Sequence, residues 1–302
     1  MIADRNGGTE AAPPRTVLDY LRRATLYLAA RAPASARLDA EVLLAEVLGG
    51  DRVGVYLHFD RPLAPAEVER YRTLVRRRGA GEPVAYLTGR REFWSHALGV
   101  TPDVLIPRPE TELLVEVALA GAGGRERALS VLDLGTGSGA IALALAAELP
   151  AARVLAVDVS PAAAAVARAN LAAAGLGARV RVAVADWTAA LAPAARFDVV
   201  VSNPPYVATA ALADLPPEVR HEPRAALDGG ADGLAAYRRL VPAGAAALAP
   251  GGRLLVEVGA GQADAVAALF AAAGLAAVAR HRDLAGVERV VAGSRPDCAG
   301  EG

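Results

Sequence analysis

The feature that most constrains this chain is the alternation that sets in at Thr111. The segments SVLDL (130–134), RVLAVD (153–158), RVRVAV (179–184), FDVVVS (197–202) and RLLVEV (253–258) are apolar nearly throughout, with alanine-rich helical stretches between most of them. A strand with one wet face alternates apolar and polar residues, so strands without that alternation are covered on both faces. Helices on both sides of a parallel sheet supply that cover. Two later segments, 275–280 and 287–291, are further strand candidates. The pattern predicts a doubly wound α/β domain, whose ligand belongs outside the carboxyl ends of its strands.

The preceding stretch has a different period. Residues 1–14 carry Gly, Pro and charge without periodicity and read as a disordered tail. Residues 15–85 read as a small all-helical domain. Leu18, Leu21, Thr25 and Leu28 share one face, Leu38, Val42 and Leu43 another, and RLDAEVLLAEVLG stops at Gly49-Gly50. A third helix is predicted after Pro65, with Val68, Tyr71 and Val75 inward and Arg70, Arg72 and Arg76–Arg78 outward. Residues 86–108 read as a hairpin-like connector, 109–292 as the α/β domain and 293–302 as a C-terminal tail.

Composition removes several classes of function. All 32 basic residues are arginine, and with 33 acids they leave a net charge of −1. That balance argues against a protein that coats nucleic acid or anionic membrane. Cys298 is the sole cysteine, and His58, His96, His221 and His281 lack metal-ligand spacing, so no metal site is expected. The first residues lack the apolar core of a signal peptide, and no run reads as a membrane span. The expected setting is soluble and cytoplasmic.

The strand ends carry the chemistry. The first runs into Asp133-Leu134-Gly135-Thr136-Gly137-Ser138-Gly139-Ala140 and a helix follows at once. Glycines there let the backbone turn tightly and a ligand approach it closely. Gly135-x-Gly137-x-x-Ala140 formally fits a dinucleotide fingerprint, which leaves a nicotinamide enzyme open. The tighter description, Asp133-x-Gly135-x-Gly137-x-Gly139, resembles the first motif of class I S-adenosylmethionine-dependent methyltransferases. The second strand ends at Asp158, where a carboxylate can accept both ribose hydroxyls, and Asp186-Trp187 after the third offers an acceptor and a flat face to an adenine.

The fourth strand ends in Asn203-Pro204-Pro205-Tyr206. Proline cannot continue a central ladder, so the backbone stops and stiffens. An Asn side-chain oxygen beside a Pro carbonyl is a pair of acceptors suited to a planar NH2 group, with Tyr206 as a flat neighbour. An amide or exocyclic amine is a poor nucleophile because its lone pair is delocalised. Holding both of its N–H bonds aims the nitrogen at an electrophilic methyl by positioning and electrostatics. The motif alone does not separate adenine in a nucleic acid from a glutamine side chain. A catalytically silent binding module is the reading from another class.

Over about residues 15–292 the chain resembles the bacterial protein-(glutamine-N5) methyltransferases that modify peptide chain release factors, the PrmC/HemK family. The resemblance is carried by DAEVLLAEVLG (39–49), EPVAYLTGRREFWSHALGVTPDVLIPRPETELLVE (82–116), DLGTGSGAIALALA (133–146), VDVSPAAAAVARAN (157–170), NPPY (203–206) and EPRAALDGGADGL (222–234). It implies a class I, Rossmann-like methyltransferase domain with a mainly parallel seven-stranded sheet behind a helical substrate-recognition domain. It implies S-adenosyl-L-methionine as cofactor, with S-adenosyl-L-homocysteine as product. The expected cofactor residues are Gly135, Thr136, Gly137, Ser138 and Gly139 at the methionine and ribose, Asp158 at the ribose hydroxyls, Asp186 and Trp187 at the adenine, and Asn203 beside the methyl. Asn203, Pro204, Pro205 and Tyr206 would hold the substrate, with Asn203, Pro204 and Tyr206 catalytic. The implied substrate is the glutamine of the Gly-Gly-Gln loop of class I release factors, methylated by a monomer without metal or nucleic acid. Arg108, Glu110 and His221 receive no role from the sequence.

Overall fold

The computed structural model describes residues 15–31, 34–189, 191–192 and 194–297, so the expectations placed on residues 1–14 and on Cys298 lie outside the described residues. The chain divides into two units, one ending at Thr88 and the other beginning at Gly89.

The first unit is helical: α1 (Val17–Ala29), α2 (Ala36–Leu48), α3 (Arg52–Leu57), α4 (Pro65–Gly79) and α5 (Val84–Thr88). Thr16 and Asp19 form a capping box at the start of α1, and Gly49 ends α2 in the left-handed conformation at φ 72°. Val17, Leu21, Leu28, Leu43, Leu44, Tyr71 and Val75 make the core.

Three expectations change here. Leu38 is exposed, and α2 instead turns Ala36, Ala40, Leu43 and Leu44 inward together with Asp39 and Glu41. Arg78 is buried rather than outward, because its Nε donates to Asp39 at 2.7 Å. The short α3, capped by the Asp51 side chain, was not expected, and α5 runs past residue 85.

The second unit opens with the hairpin β1 (Arg90–Phe93) and β2 (His96–Gly99), then α6 (Glu112–Ala120), β3 (Ser130–Leu134), α7 (Ala140–Glu148), β4 (Arg153–Asp158), α8 (Pro161–Ala173), β5 (Val180–Val184) and β6 (Phe197–Ser202). It closes with α9 (Ala235–Ala247), β7 (Leu248–Glu257), α10 (Ala263–Ala272), β8 (Ala276–Arg282) and β9 (Glu288–Ser294). Trp94 and Ser95 link the hairpin strands with φ of 51° and 58°, both positive as a two-residue primed turn requires. Asn170 of α8 pins the hairpin by accepting from Gly99 N (2.8 Å) and donating to Gly99 O (2.9 Å).

The seven-stranded sheet has the order β5-β4-β3-β6-β7-β9-β8. The strands from β5 to β7 pair in parallel, while β9 is antiparallel to both β7 and β8. Each central strand is apolar on both sides because both faces are covered. Val131, Val199 and Val201 pack with α6 and α7, and Leu132 and Val200 pack with α9 and α10. Strand β7 starts five residues earlier than RLLVEV suggested; its pairing with β6 jumps from Phe197↔Leu248 to Val199↔Arg253 across the Pro250-Gly251 irregularity. Strand β9 continues to Ser294, two residues beyond the expected end of the domain.

This topology fixes the site. The chain builds outward from β3 through β4 to β5, then returns to the other side of β3 as β6. The switch point, where a crevice opens at the strand ends, therefore lies between β3 and β6. Leu134 pairs with Ser202, and the Ser202 hydroxyl donates to Leu134 O at 2.6 Å. The glycine loop after β3 and the Asn-Pro-Pro-Tyr turn after β6 thus leave the sheet side by side.

Candidate active site

The glycine loop is held from below and open from above. Gly135 N and Thr136 N donate to Val157 O at 2.8 and 3.0 Å, which ties the loop to the end of β4. Gly137 sits at φ 55° with nothing within 4 Å of where a Cβ would point, so its exposed face is free for a ligand. Gly139, at φ 82°, begins α7 where a Cβ would come within 3.2 Å of the Ala167 side chain. Below the loop the Asp133 carboxylate is fully buried. Its Oδ2 accepts from the Thr136 hydroxyl at 2.6 Å, and its Oδ1 has no hydrogen-bond partner among the described residues. Burial pushes its pKa up to about 7.

Asp158 braces the loop from the next strand. Its Oδ2 accepts from Gly137 N at 2.8 Å and its Oδ1 from Ser160 N at 2.9 Å. Each oxygen retains lone-pair capacity toward the cleft, which suits a vicinal diol. Trp187 adopts φ 50°, and its Cζ3 lies 3.8 Å from where a Gly135 Cβ would be, so the indole borders the loop's first glycine. Asp186 is half-exposed and accepts from Arg239 Nη2 at 2.5 Å, an ion pair that the sequence did not announce.

These residues line one cleft of about 490 Å³. Gly135, Thr136, Gly137, Ser138, Asp158, Asp186, Trp187, Asn203 and Pro205 all border it. Gly139, Pro204 and Tyr206 do not border it: Gly139 caps α7, Pro204 is buried, and Tyr206 packs half-buried against the apolar layer under α9 and α10. Burial raises the Tyr206 phenol to about 12, and its carbonyl accepts from Gln262 Nε2 at 3.0 Å. An open glycine backbone, a carboxylate and an indole around one cleft are the kinds of group that fit a nucleoside with an amino-acid tail. Among the described residues no group of His, Cys, Asp or Glu is placed to hold a metal ion.

Two residues near Asn203, Thr111 and Glu257, were not singled out from the sequence. Asn203 Nδ2 donates to Thr111 Oγ1 at 3.1 Å, and Glu257 at the end of β7 is 2% exposed. Burial lifts Glu257 to about 7, against the opposing influence of the Thr111 and Asn203 side chains. Glu222 joins the cleft's two flanking loops: it is paired with Arg108 and accepts from Ile106 N at 3.2 Å. Arg108 and the Glu222 turn thus form one brace, whereas His221 is exposed. The available signal was position: Glu257 is an acid at the carboxyl end of an apolar strand.

Known proteins resemble the chain over most of its length. The family model for the PrmC N-terminal domain matches residues 19–89, and that for the methyltransferase small domain matches residues 110–219. A release factor glutamine methyltransferase of Geobacter sulfurreducens is 49% identical over 92% of this chain and 95% of its own. One from Burkholderia pseudomallei is 50% identical over 86% and 92%. Among solved structures, the Thermus thermophilus 16S rRNA N2 G1207 methyltransferase, in complex with AdoMet and guanosine, superposes with a TM-score of 0.52 at 23% identity. That match covers 68% of this chain and 49% of the other and speaks for the methyltransferase fold. With near-half identity to full-length relatives and the switch-point cleft they would need, this chain belongs to the release factor glutamine methyltransferase family.

Proposed function

We propose that this protein methylates the side-chain amide nitrogen of the glutamine in the Gly-Gly-Gln loop of class I peptide chain release factors. The observation that carries the reading is the β3–β6 register, which brings the glycine loop and Asn203 to the same edge of one cleft. S-adenosyl-L-methionine, when bound there, would supply an electrophilic sulfonium methyl, with S-adenosyl-L-homocysteine as the product. Gly135–Gly139 would hold its methionine and ribose portions, Asp158 its ribose hydroxyls, and Trp187 its adenine, with Asp186 able to join once Arg239 shares it.

The substrate amide is placed by acceptors. Asn203 Oδ1 and the Pro204 carbonyl would take its two N–H bonds, fixing the nitrogen in line with the methyl. Pro205 and Tyr206 would stiffen the turn from beside and behind. With the methyl passing from sulfur to nitrogen, the amide nitrogen would become acidic and its one surplus proton would leave to solvent. No strong base is required beforehand. The helical unit, residues 15–88, would read another surface of the factor. The protein would work in the cytoplasm as a monomer, with no nucleic acid involved.

Incubation of the protein with methyl-labelled cofactor and a release factor tests this. One labelled methyl on the Gly-Gly-Gln glutamine is expected, and label that persists after that glutamine is changed to alanine would refute the substrate.

A further inference from the structure

We propose that Thr111 and Glu257 are positioning residues for the transfer, holding the Asn203 carboxamide with its NH2 turned inward and its Oδ1 left for the substrate glutamine. The inference rests on the reading of Asn203 given above, and it starts from a buried group which that reading does not use.

Glu257 ends β7, the neighbour of β6, and Ser202 pairs with Val256, so Glu257 and Asn203 are the next residues along two adjacent parallel strands. The Glu257 carboxylate is almost wholly buried, and its Oε2 has no hydrogen-bond partner among the described residues. A buried acid with an unfilled oxygen is costly, and such groups gather at functional sites. Thr111 and Asn203 are the side chains that favour its charged form, with the Arg289 charge also favouring it and the Glu110 charge opposing it.

Thr111 is 4% exposed at the end of the short turn Pro109–Thr111, within the IPRPETE segment. Its hydroxyl has one proton to give and two lone pairs to offer. When Glu257 is ionised its carboxylate only accepts, so the Thr111 proton then turns toward it. The hydroxyl oxygen is then an acceptor, and it takes Asn203 Nδ2 at 3.1 Å. The oxygen and nitrogen of a side-chain amide are nearly equal in size, so packing alone does not choose between the two flips of Asn203. The polarity of the Glu257–Thr111–Asn203 chain does choose. Reversed, the Asn203 NH2 would meet the glutamine NH2, donor against donor, and the nitrogen would not be held for in-line attack.

Thr111→Val removes the hydroxyl with little change of shape. In steady-state assays on a release factor, its kcat should fall roughly 10- to 100-fold, the scale of losing a group that orients another side chain rather than touching the reactants. KM for the factor and the calorimetric Kd for S-adenosylmethionine should both stay within about twofold to threefold, since Asn203 orientation acts in the transition state. Thr111→Ser, which keeps the hydroxyl, should recover most of the lost kcat. A readout independent of turnover is the Asn203 side-chain NH2 pair in a nitrogen-15 correlation spectrum, identified by its loss in Asn203→Ala. Thr111→Val should shift that pair toward the position of a solvated amide.

If Thr111→Val does not fold, Glu257→Gln takes its place. A glutamine offers Thr111 a donor as readily as an acceptor, so kcat should drop several-fold and the same NH2 pair should shift. An unchanged kcat, a serine variant as impaired as the valine, or an unmoved NH2 pair would overturn the proposal. A wild-type protein that leaves the release-factor glutamine unmodified would instead overturn the underlying reading of the site.

Discussion

Both units bury carboxylates and, apart from Glu222 on Arg108, they treat them in opposite ways. In the helical unit Asp39 faces Arg78 at 2.7 Å, and Glu41 is gripped by Arg52 (2.6 Å), Arg37 (2.9 Å) and Tyr56. Burial alone would raise Glu41, but the hydrogen bonds from Tyr56, Arg52 and Arg37 hold it below the ordinary carboxylate range. In the α/β unit Asp133 and Glu257 each keep one oxygen without a partner among the described residues, and burial carries both up to about 7. The paired acids fix the packing of α2 against its neighbours. The unpartnered acids stand at the ends of β3 and β7, under the glycine loop and beside Asn203, where a ligand must be met. Unsatisfied polar groups are tolerated at the place where the molecule works.

The largest expected effect comes from Asn203, next to Glu257 across β6 and β7. Asn203→Ala should lower kcat on the order of 10²- to 10³-fold or more while Kd for S-adenosylmethionine changes by less than about threefold. Loss of cofactor binding in calorimetry would mean that Asn203 serves the cofactor rather than the glutamine.

Next in size is the paired side of the contrast. Arg78→Ala strands the Asp39 charge in the helical core and should destabilise that unit by about 3–5 kcal/mol in denaturant unfolding. Replacing both partners with apolar residues, Arg78→Met with Asp39→Leu, should recover most of that loss. An Arg78→Ala protein as stable as the wild type would erase the distinction between the two units.

The unpartnered side should show in pH dependence. Asp133 binds its proton more tightly folded (about 7) than unfolded (near 3.8). Its contribution to stability is therefore complete below about pH 4 and is lost as pH rises to about 7, and Glu257 has the same sign. Exposed acids held low, such as Asp232 at about 2 beside Arg238, titrate beneath that window. Asp133→Asn, whose amide oxygen still accepts from Thr136, should flatten the fall and gain on the order of a few kcal/mol near pH 8. A calorimetric slope between pH 4 and 7 identical to that of the wild type would contradict the burial argument. The smallest effect belongs to an exposed pair at the cleft lip: Arg239→Ala should change stability by less than about 1 kcal/mol.

What the sequence disclosed follows from how local each signal is. The strand ends were legible because each places its chemistry in a few consecutive residues: Gly135 to Gly139, Asp158, Asp186-Trp187 and Asn203 to Tyr206. Most of those residues border one cleft, while Pro204 and Tyr206 lie behind it. Thr111 and Glu257 escaped because their partnership joins distant segments, and neither residue type stands out alone. In α2 the inward face was misjudged at Leu38 because alanine gives little hydropathic contrast, and two of the inward residues are acids whose partners lie on other helices. The early start of β7 depends on a pairing irregularity opposite β6, which periodicity does not register.

The central claim is that the ends of β3 and β6 hold the methyl donor and a glutamine amide side by side. A crystal structure of the protein with S-adenosyl-L-homocysteine and a Gly-Gly-Gln peptide tests it most directly. The glutamine nitrogen should lie within about 3 Å of Asn203 Oδ1, pointing at the cofactor sulfur, with the Asn203 NH2 still on Thr111. A glutamine amide bound away from Asn203, or a cofactor seated away from the glycine loop, would contradict it.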